Sequence, residues 1–339
     1  MSKSPFLEIK DLRVEFKVYE GVLKVLDGVN FEVNTGEKVG LVGETGCGKT
    51  TTMKAILRIL PMPPARITDG EIIFKGKNLL KMGDRELSKV RGSGISMIFQ
   101  DPTAALNPVF TIGQQIGPVI QNASPDNKKL SKRQIREKSI VPLKEVALAD
   151  PERLLDSYPV QLSGGMRQRV CIGMALSTDP ELLIADEPGT SLDVTIQDQV
   201  LRLLHNLVEE KGTSVILITH TLGIVRETTD RVYVMYAGNM VEEAPTTQIF
   251  TNPLHPYTQG LMEAVPRLTG GGVTIGIPGR IPSYLNPPAG CRFQTRCPHV
   301  MNICRQEKPS FFEADEDRKV ACFLYGQNVD RTQEETTAS

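Results

Sequence analysis

The chain has 339 residues, with 39 Lys and Arg against 40 Asp and Glu, so its formal net charge is −1. That near balance gives no global basic field directed at nucleic acid or at an anionic membrane. Composition is 40% hydrophobic and 23% charged, as in a globular chain long enough for two domains.

No apolar run reaches the roughly 18–20 residues that span a bilayer. The opening MSKSPFLEIK has neither an apolar signal core nor a small-residue cleavage site, so a cytosolic chain is expected. In a reducing cytosol, the six cysteines are expected to be free, metal-bound or cluster-bound rather than paired.

Residues 7–42 read as strands. Val14, Phe16 and Val18 alternate, and Asn34-Thr35-Gly36 marks a turn. Val39 to Val42 is a short apolar run of the kind a fully buried strand shows. A helix follows, with Met53, Ile56, Leu57 and Leu60 on one face and Pro61 at its end. Ser96 to Phe99 predicts another buried strand. Residues 103–178 read as mainly helical, broken by a polar stretch from Asn122 to Lys132. Buried strands follow at 182–185 and 215–218. Between them Asp193 caps an amphipathic helix, Ile196, Val200, Leu203, Leu204, Leu207 and Val208 line one side, and Gly212 closes it.

Strands separated by helices imply a parallel sheet of the α/β type. A hairpin is expected around Tyr233 to Glu243, turning at Gly238-Asn239. Pro266 to Gly290 is rich in Gly and Pro and reads as an irregular connection. It leads to a small module, 291–325, that holds four of the six cysteines. The polar tail from 326 is expected to be disordered.

Gly43-Glu44-Thr45-Gly46-Cys47-Gly48-Lys49-Thr50 fits the phosphate-loop pattern, and it lies after a buried strand and before a helix. Its glycines let backbone N–H groups face phosphates, and the helix N-terminus adds partial positive charge. Lys49 is expected on the β- and γ-phosphates, Thr50 on Mg²⁺ and Thr51 on a neighbouring phosphate oxygen. Cys47 reads as a small residue filling a permissive position in the loop. Asp186 and Glu187 end an apolar strand and face the crevice where α/β sheets bind ligands. Asp186 suits Mg²⁺ through its water shell, and Glu187 suits the general base. His220 leaves the same sheet at the same end, toward the γ-phosphate or the attacking water. Gln100, after the run 96–99, is a candidate for Mg²⁺ or the water. Tyr19, out of phase with Val14, Phe16 and Val18, is a candidate to stack on the base; Phe16 and a plain strand-end tyrosine are the alternatives.

Leu162-Ser163-Gly164-Gly165-Met166-Arg167-Gln168-Arg169 places a capping hydroxyl and bare backbone at a helix start, a second anion site. The order of motifs is 43–50, Gln100, LSGGM at 162–166, LLIADEP at 182–188, SLD at 191–193 and His220. It resembles the ATPase subunit of ABC transporters over roughly residues 6–245. The resemblance implies a P-loop NTPase fold with a mixed sheet core, a helical subdomain at about 103–178 and a C-terminal extension at 246–325. It also implies a head-to-tail pair of ATPase chains, in which Ser163, Gly164 and Gly165 face the γ-phosphate held by the partner and Asp193 makes the cross-dimer loop contact.

Met166 with Arg167-Gln168-Arg169, DVTIQ at 193–197, and the stretch Asn252-Pro253-Leu254-His255-Pro256-Tyr257-Thr258 are similar to the oligopeptide/dipeptide importers. So are Gly290-Cys291-Arg292-Phe293 and Arg296-Cys297-Pro298. The expected partners are therefore a second ATPase subunit, different or identical, and two membrane permease subunits. An extracytoplasmic substrate-binding protein acts indirectly, and no nucleic acid is expected. The chain would sit on the cytoplasmic face of the membrane. Oligosaccharide or nickel uptake is the alternative cargo; a soluble ABC ATPase acting on nucleic acid or ribosomes is the alternative class.

Cys291, Cys297, Cys304 and Cys322 are spaced C-x5-C-x6-C-x17-C, unlike the paired spacing of a zinc ribbon. Four thiolates suit an iron–sulfur cluster or Zn²⁺, with no metal as a third reading, and the resemblance favours [4Fe–4S]. His299 is a substitute ligand or a surface residue. Cys171 reads as helix core.

Overall fold

The computed structural model describes residues 5–123, 129–190, 192–264, 276–315 and 317–326. Twelve strands among them form two sheets: β1 (Leu7–Val18), β2 (Gly21–Val33), β3 (Lys38–Val42), β4 (Ala65–Phe74), β5 (Lys77–Asn78), β6 (Ile95–Ile98), β7 (Leu182–Asp186), β8 (Ser214–Ile218), β9 (Arg231–Tyr236), β10 (Asn239–Pro245), β11 (Phe312–Asp315) and β12 (Arg318–Val320). The larger sheet runs β11-β12-β10-β9-β3-β8-β7-β6. Its β9-β3-β8-β7-β6 portion is parallel, and β10, β12 and β11 join antiparallel. The smaller sheet, β2-β1-β4-β5, is antiparallel.

Every residue of β7 and β8 is buried, and so is every residue of β3 except Lys38. Continuous apolar runs are therefore what these strands require, since one face packs on the smaller sheet and the helix Lys49–Ile56 and the other on helices. The same direction of β3, β6, β7 and β8 brings their C-terminal ends to one edge. Gly43, Gln100, Glu187 and His220 all follow those ends.

One apolar core joins β1, β2 and β4 to β3 and the helix Lys49–Ile56. A second lies under the helices Ile112–Asn122, Lys132–Glu145 and Gly164–Leu176, where Ile116, Leu143 and Ile172 pack toward Leu183 and Val200. Thr111 with Gln114, and Ser131 with Gln134, form reciprocal capping boxes on the first two of these helices. Part of the expected polar break, 124–128, lies outside the described residues, as do Ser191, 265–275 of the Gly/Pro-rich connection and the tail from 327.

Two sequence expectations are corrected. The helix after the phosphate loop ends at Ile56, short of Leu57 and Leu60. Arg58 turns left-handed there, and Arg91 takes up the freed Leu57 and Arg58 carbonyls at 2.8 and 2.9 Å. The hairpin turns at Ala237-Gly238, one residue early, with φ of 44° and 79°. Gly238 is required because a Cβ there would lie 1.9 Å from the Val25 carbonyl oxygen.

The C-terminal residues are built onto the core. Arg318 and Glu242, both almost fully buried, form an ion pair at 3.4 Å across the β10–β12 pairing. Phe293 stacks edge-on against Tyr236 and Tyr257. Among the described residues, no helix is long and apolar enough to cross a membrane.

Candidate active site

The loop after β3 is shaped by its glycines. Gly43 has φ 151°, and a Cβ there would meet the Met235 carbonyl oxygen at 2.1 Å. Gly48, at φ 112°, leads into the helix Lys49–Ile56, and a Cβ on it would strike Leu26 of β2 at 2.7 Å. Lys49 is buried and donates to the Gly43 and Glu44 carbonyls at 2.8 and 3.0 Å, so its ammonium lies within the loop. Cys47 is fully buried, and burial pushes its thiol pKa up. A neutral, enclosed thiol fits the permissive-position reading better than a reactive one.

Thr50 donates to Asp186 Oδ1 at 3.2 Å. Asp186 is buried at the end of β7, and burial raises its carboxyl pKa against the pull of the Thr50 hydroxyl. The two supply hard oxygen donors beside the phosphate loop, which suit Mg²⁺.

Next to Asp186, Glu187 holds a left-handed φ of 47°, fixed by its N–H to the Ile218 carbonyl at 2.8 Å. Three side chains converge on its Oε2. Gln100 donates at 3.0 Å, Thr190 donates at 3.0 Å, and His220 Nδ1 lies 3.6 Å away. A carboxylate held in this way can take a proton from a water placed between it and a bound phosphate. Thr190 was assigned no role from sequence, and only its nearness to Glu187 in the chain hinted at one.

The signature residues form a second cluster. Ser163 caps the helix Gly164–Leu176 by accepting from the Met166 N–H at 3.3 Å, and Asp193 caps Val194–Lys211 by accepting from the Ile196 N–H at 3.0 Å. The two helices touch closely, since a Cβ on Gly165 would meet Ile196 at 2.9 Å. Gln168, buried, donates to the Pro188 carbonyl at 2.7 Å and ties the signature helix to the segment after Glu187. Arg167 and Arg169 bind backbone carbonyls of Pro159 and Val146, so both brace the helical region. Among the described residues, no hydrogen bond or ion pair joins Ser163, Gly164 or Gly165 to the phosphate loop.

Tyr19 lies at the tip of the β1–β2 hairpin and is fully exposed. That hairpin borders the phosphate loop through Leu26 and Gly48.

Cys291, Cys297, Cys304 and Cys322 line one small cavity with His299 and His255. Burial pushes Cys291 to about 11 and Cys322 to about 12, and Cys297 is also raised. Among the described residues, no group of three or more His, Cys, Asp or Glu side chains is arranged to hold a metal ion. The four thiols share a cavity, but their placement does not bear out the expected cluster.

Comparison with known proteins gives the same class. A family model described as ABC transporter matches residues 26–190, and one described as oligopeptide/dipeptide transporter, C-terminal region, matches 241–304. The dipeptide transport ATP-binding protein DppD of Bacillus subtilis is 44% identical over 325 residues, 96% of each chain. The oligopeptide transport ATP-binding protein OppD of the same organism is 43% identical over 320 residues, 94% of this chain and 88% of that one. Among solved structures, the dimeric bacterial ABC transporter cassette MJ0796 has a TM-score of 0.63 at 28% identity, over 71% of this chain and 98% of that one. The chain therefore belongs to the ATP-binding subunits of ABC transporters and is an ATPase of that family.

Proposed function

We propose that the chain powers uptake of di- or oligopeptides by hydrolysing ATP on the cytoplasmic face of a membrane, beside two permease subunits. The observation that carries this reading is the convergence of Gln100, Thr190 and His220 on Glu187, next to the Thr50–Asp186 pair and the phosphate loop. The peptide cargo is supported by the C-terminal region of 241–304 and by the relatives' transport names.

In this reading residues 1–245 are the ATPase domain, with the helical subdomain at 103–178 for permease docking, and 246–325 are the extension. Gly43 to Thr51 cradle the triphosphate, with Lys49 on the β- and γ-phosphates. Tyr19 stacks on the base. Thr50, Asp186 and Gln100 hold Mg²⁺, which offsets phosphate charge when bound. Glu187 takes a proton from the attacking water, whose oxygen bonds the γ-phosphorus as its bond to the bridging oxygen breaks. ADP and phosphate result. His220 and Gln100 orient that water. Ser163, Gly164, Gly165 and Asp193 serve the nucleotide bound by a partner ATPase chain.

The four cysteines are the donor set for a [4Fe–4S] cluster, with Zn²⁺ as the alternative; the support is their shared cavity. Such a group would cross-link the extension. Anaerobic purification followed by iron and labile-sulfide analysis tests it, and protein with neither rules the cluster out.

The experiment on function is uptake by cells carrying the whole transporter with wild-type or Lys49→Ala chain, offered labelled dipeptide, oligosaccharide or nickel. Lys49-dependent entry of the peptide alone is expected. Entry of another cargo instead would replace the peptide assignment.

A further inference from the structure

The phosphate loop is gripped by three side chains from the C-terminal part of the chain. Arg296 closes on the Glu44 carboxylate with both terminal nitrogens, Nη1 to Oε2 at 2.9 Å and Nη2 to Oε1 at 3.0 Å. Its other donors reach the Pro278 and Ile277 carbonyls, each at 2.8 Å, and the Tyr236 hydroxyl at 3.3 Å. All five N–H groups of the guanidinium are thus used, and the side chain is only 4% exposed. Tyr257 accepts from the Glu44 N–H at 2.8 Å, and Tyr284 donates to the Gly46 carbonyl at 2.8 Å. Burial raises the pKa of both tyrosines, so each keeps its proton near neutral pH.

Glu44 is consequently fixed at three points: its N–H by Tyr257, its carbonyl by Lys49 and its carboxylate by Arg296. Two physical effects follow. A loop already held in one shape loses less entropy when it binds an anion. A carboxylate within a phosphate-binding loop repels phosphate unless its charge is matched, and a buried bidentate arginine matches it best.

We propose that Arg296 is a positioning residue for ATP, acting through Glu44, with Tyr284 acting through the Gly46 carbonyl. This rests on the reading of 43–51 as the ATP site. Removing the guanidinium would free the loop and uncover the Glu44 charge together. Arg296 immediately precedes Cys297, so the grip is anchored beside the thiol cavity.

The test is equilibrium binding of Mg-ATP to the full-length chain, followed by KM and kcat for hydrolysis, with thermal melting to confirm folding. Arg296→Met is expected to raise Kd and KM about tenfold while kcat stays within about twofold. Arg296→Lys keeps the charge but not the fork, and is expected to fall between. Glu44→Gln in the Arg296→Met background is expected to bind ATP no more weakly than Arg296→Met alone. Tyr284→Phe, which loses one hydroxyl only, is expected to raise Kd about threefold. If Arg296→Met does not fold, Arg296→Lys, which keeps the charge and loses the fork, decides the Arg296 claim, and wild-type affinity in it overturns that claim. Wild-type affinity in the folded variants, or a double variant that binds ATP more weakly than Arg296→Met alone, overturns the proposal. A wild-type chain that binds no ATP overturns the ATP-site reading beneath it.

Discussion

Gln100 and Glu187 lie 87 residues apart in sequence, yet Gln100 Nε2 donates to Glu187 Oε2 at 3.0 Å. The bond joins the end of β6 to the end of β7, neighbouring parallel strands. It couples the segment leading into the helical region to the carboxylate proposed as the general base. Movement of that region would therefore move a direct partner of Glu187.

Thr190 is the second donor to the same oxygen, at 3.0 Å. Thr190→Val removes the hydroxyl at nearly constant shape. Since one such bond contributes about 1 kcal/mol net, kcat should fall about fivefold with KM for ATP little changed. Steady-state kinetics check this; an unchanged kcat would show that Glu187 needs no second donor.

Tyr19 stands exposed on the hairpin beside the phosphate loop. If it stacks on the base, Tyr19→Ala should raise KM for ATP about tenfold, and Tyr19→Phe should not. Comparing ATP with inorganic tripolyphosphate as competitor separates base contact from phosphate contact: only ATP should weaken.

Asp27 faces Arg13, Lys308 at 3.3 Å and Arg292 at 3.7 Å. Burial opposes its charge, but Lys308, Arg292 and Arg13 outweigh it and hold the carboxyl pKa below its ordinary value. Protonation is thus harder in the folded chain than in the unfolded one. Its contribution is present above the unfolded value, about 3.9, and is lost as pH falls through the depressed folded value. Asp27→Asn should cost about 2 kcal/mol at pH 7, and the gap to wild type should close as pH drops below about 4. Urea unfolding across that range reads it; a gap independent of pH would remove the ionic explanation.

Arg318 and Glu242 are 2% and 0% exposed, and they bind β12 to β10. Arg318→Met would leave the buried Glu242 carboxylate with the Leu254 and His255 N–H groups but no countercharge, with an expected loss of about 3 kcal/mol in unfolding free energy. The double variant Arg318→Met with Glu242→Leu should recover part of that loss. Wild-type stability in the single variant would show that the pair does not fasten the extension.

The parallel strands were legible because burial on both faces leaves unbroken apolar runs, as at Leu182 to Ala185. The ends of those strands then pointed to Gln100, Asp186, Glu187 and His220, which the fold sets side by side. The hairpin turn was misplaced because Ala237 takes a left-handed φ that its side chain does not advertise. The Glu44–Arg296 pair spans 252 residues and follows no period, so only folding reveals it. Cysteine spacing marked Cys291, Cys297, Cys304 and Cys322 as a set, and the fold brings them to one cavity. Spacing carries no information on the distances that bonding to a metal needs.

The most direct measurement on the central claim is ATP turnover by Glu187→Gln in the assembled transporter, with Mg-ATP binding measured on the same sample. Loss of a general base lowers rate by about a hundredfold or more without removing phosphate contacts. The variant should therefore bind ATP with near wild-type affinity and hydrolyse it at no more than about one hundredth of the wild-type rate. Hydrolysis close to wild type, with contaminating ATPase excluded by a Lys49→Ala control, would contradict the assignment of Glu187 as the base.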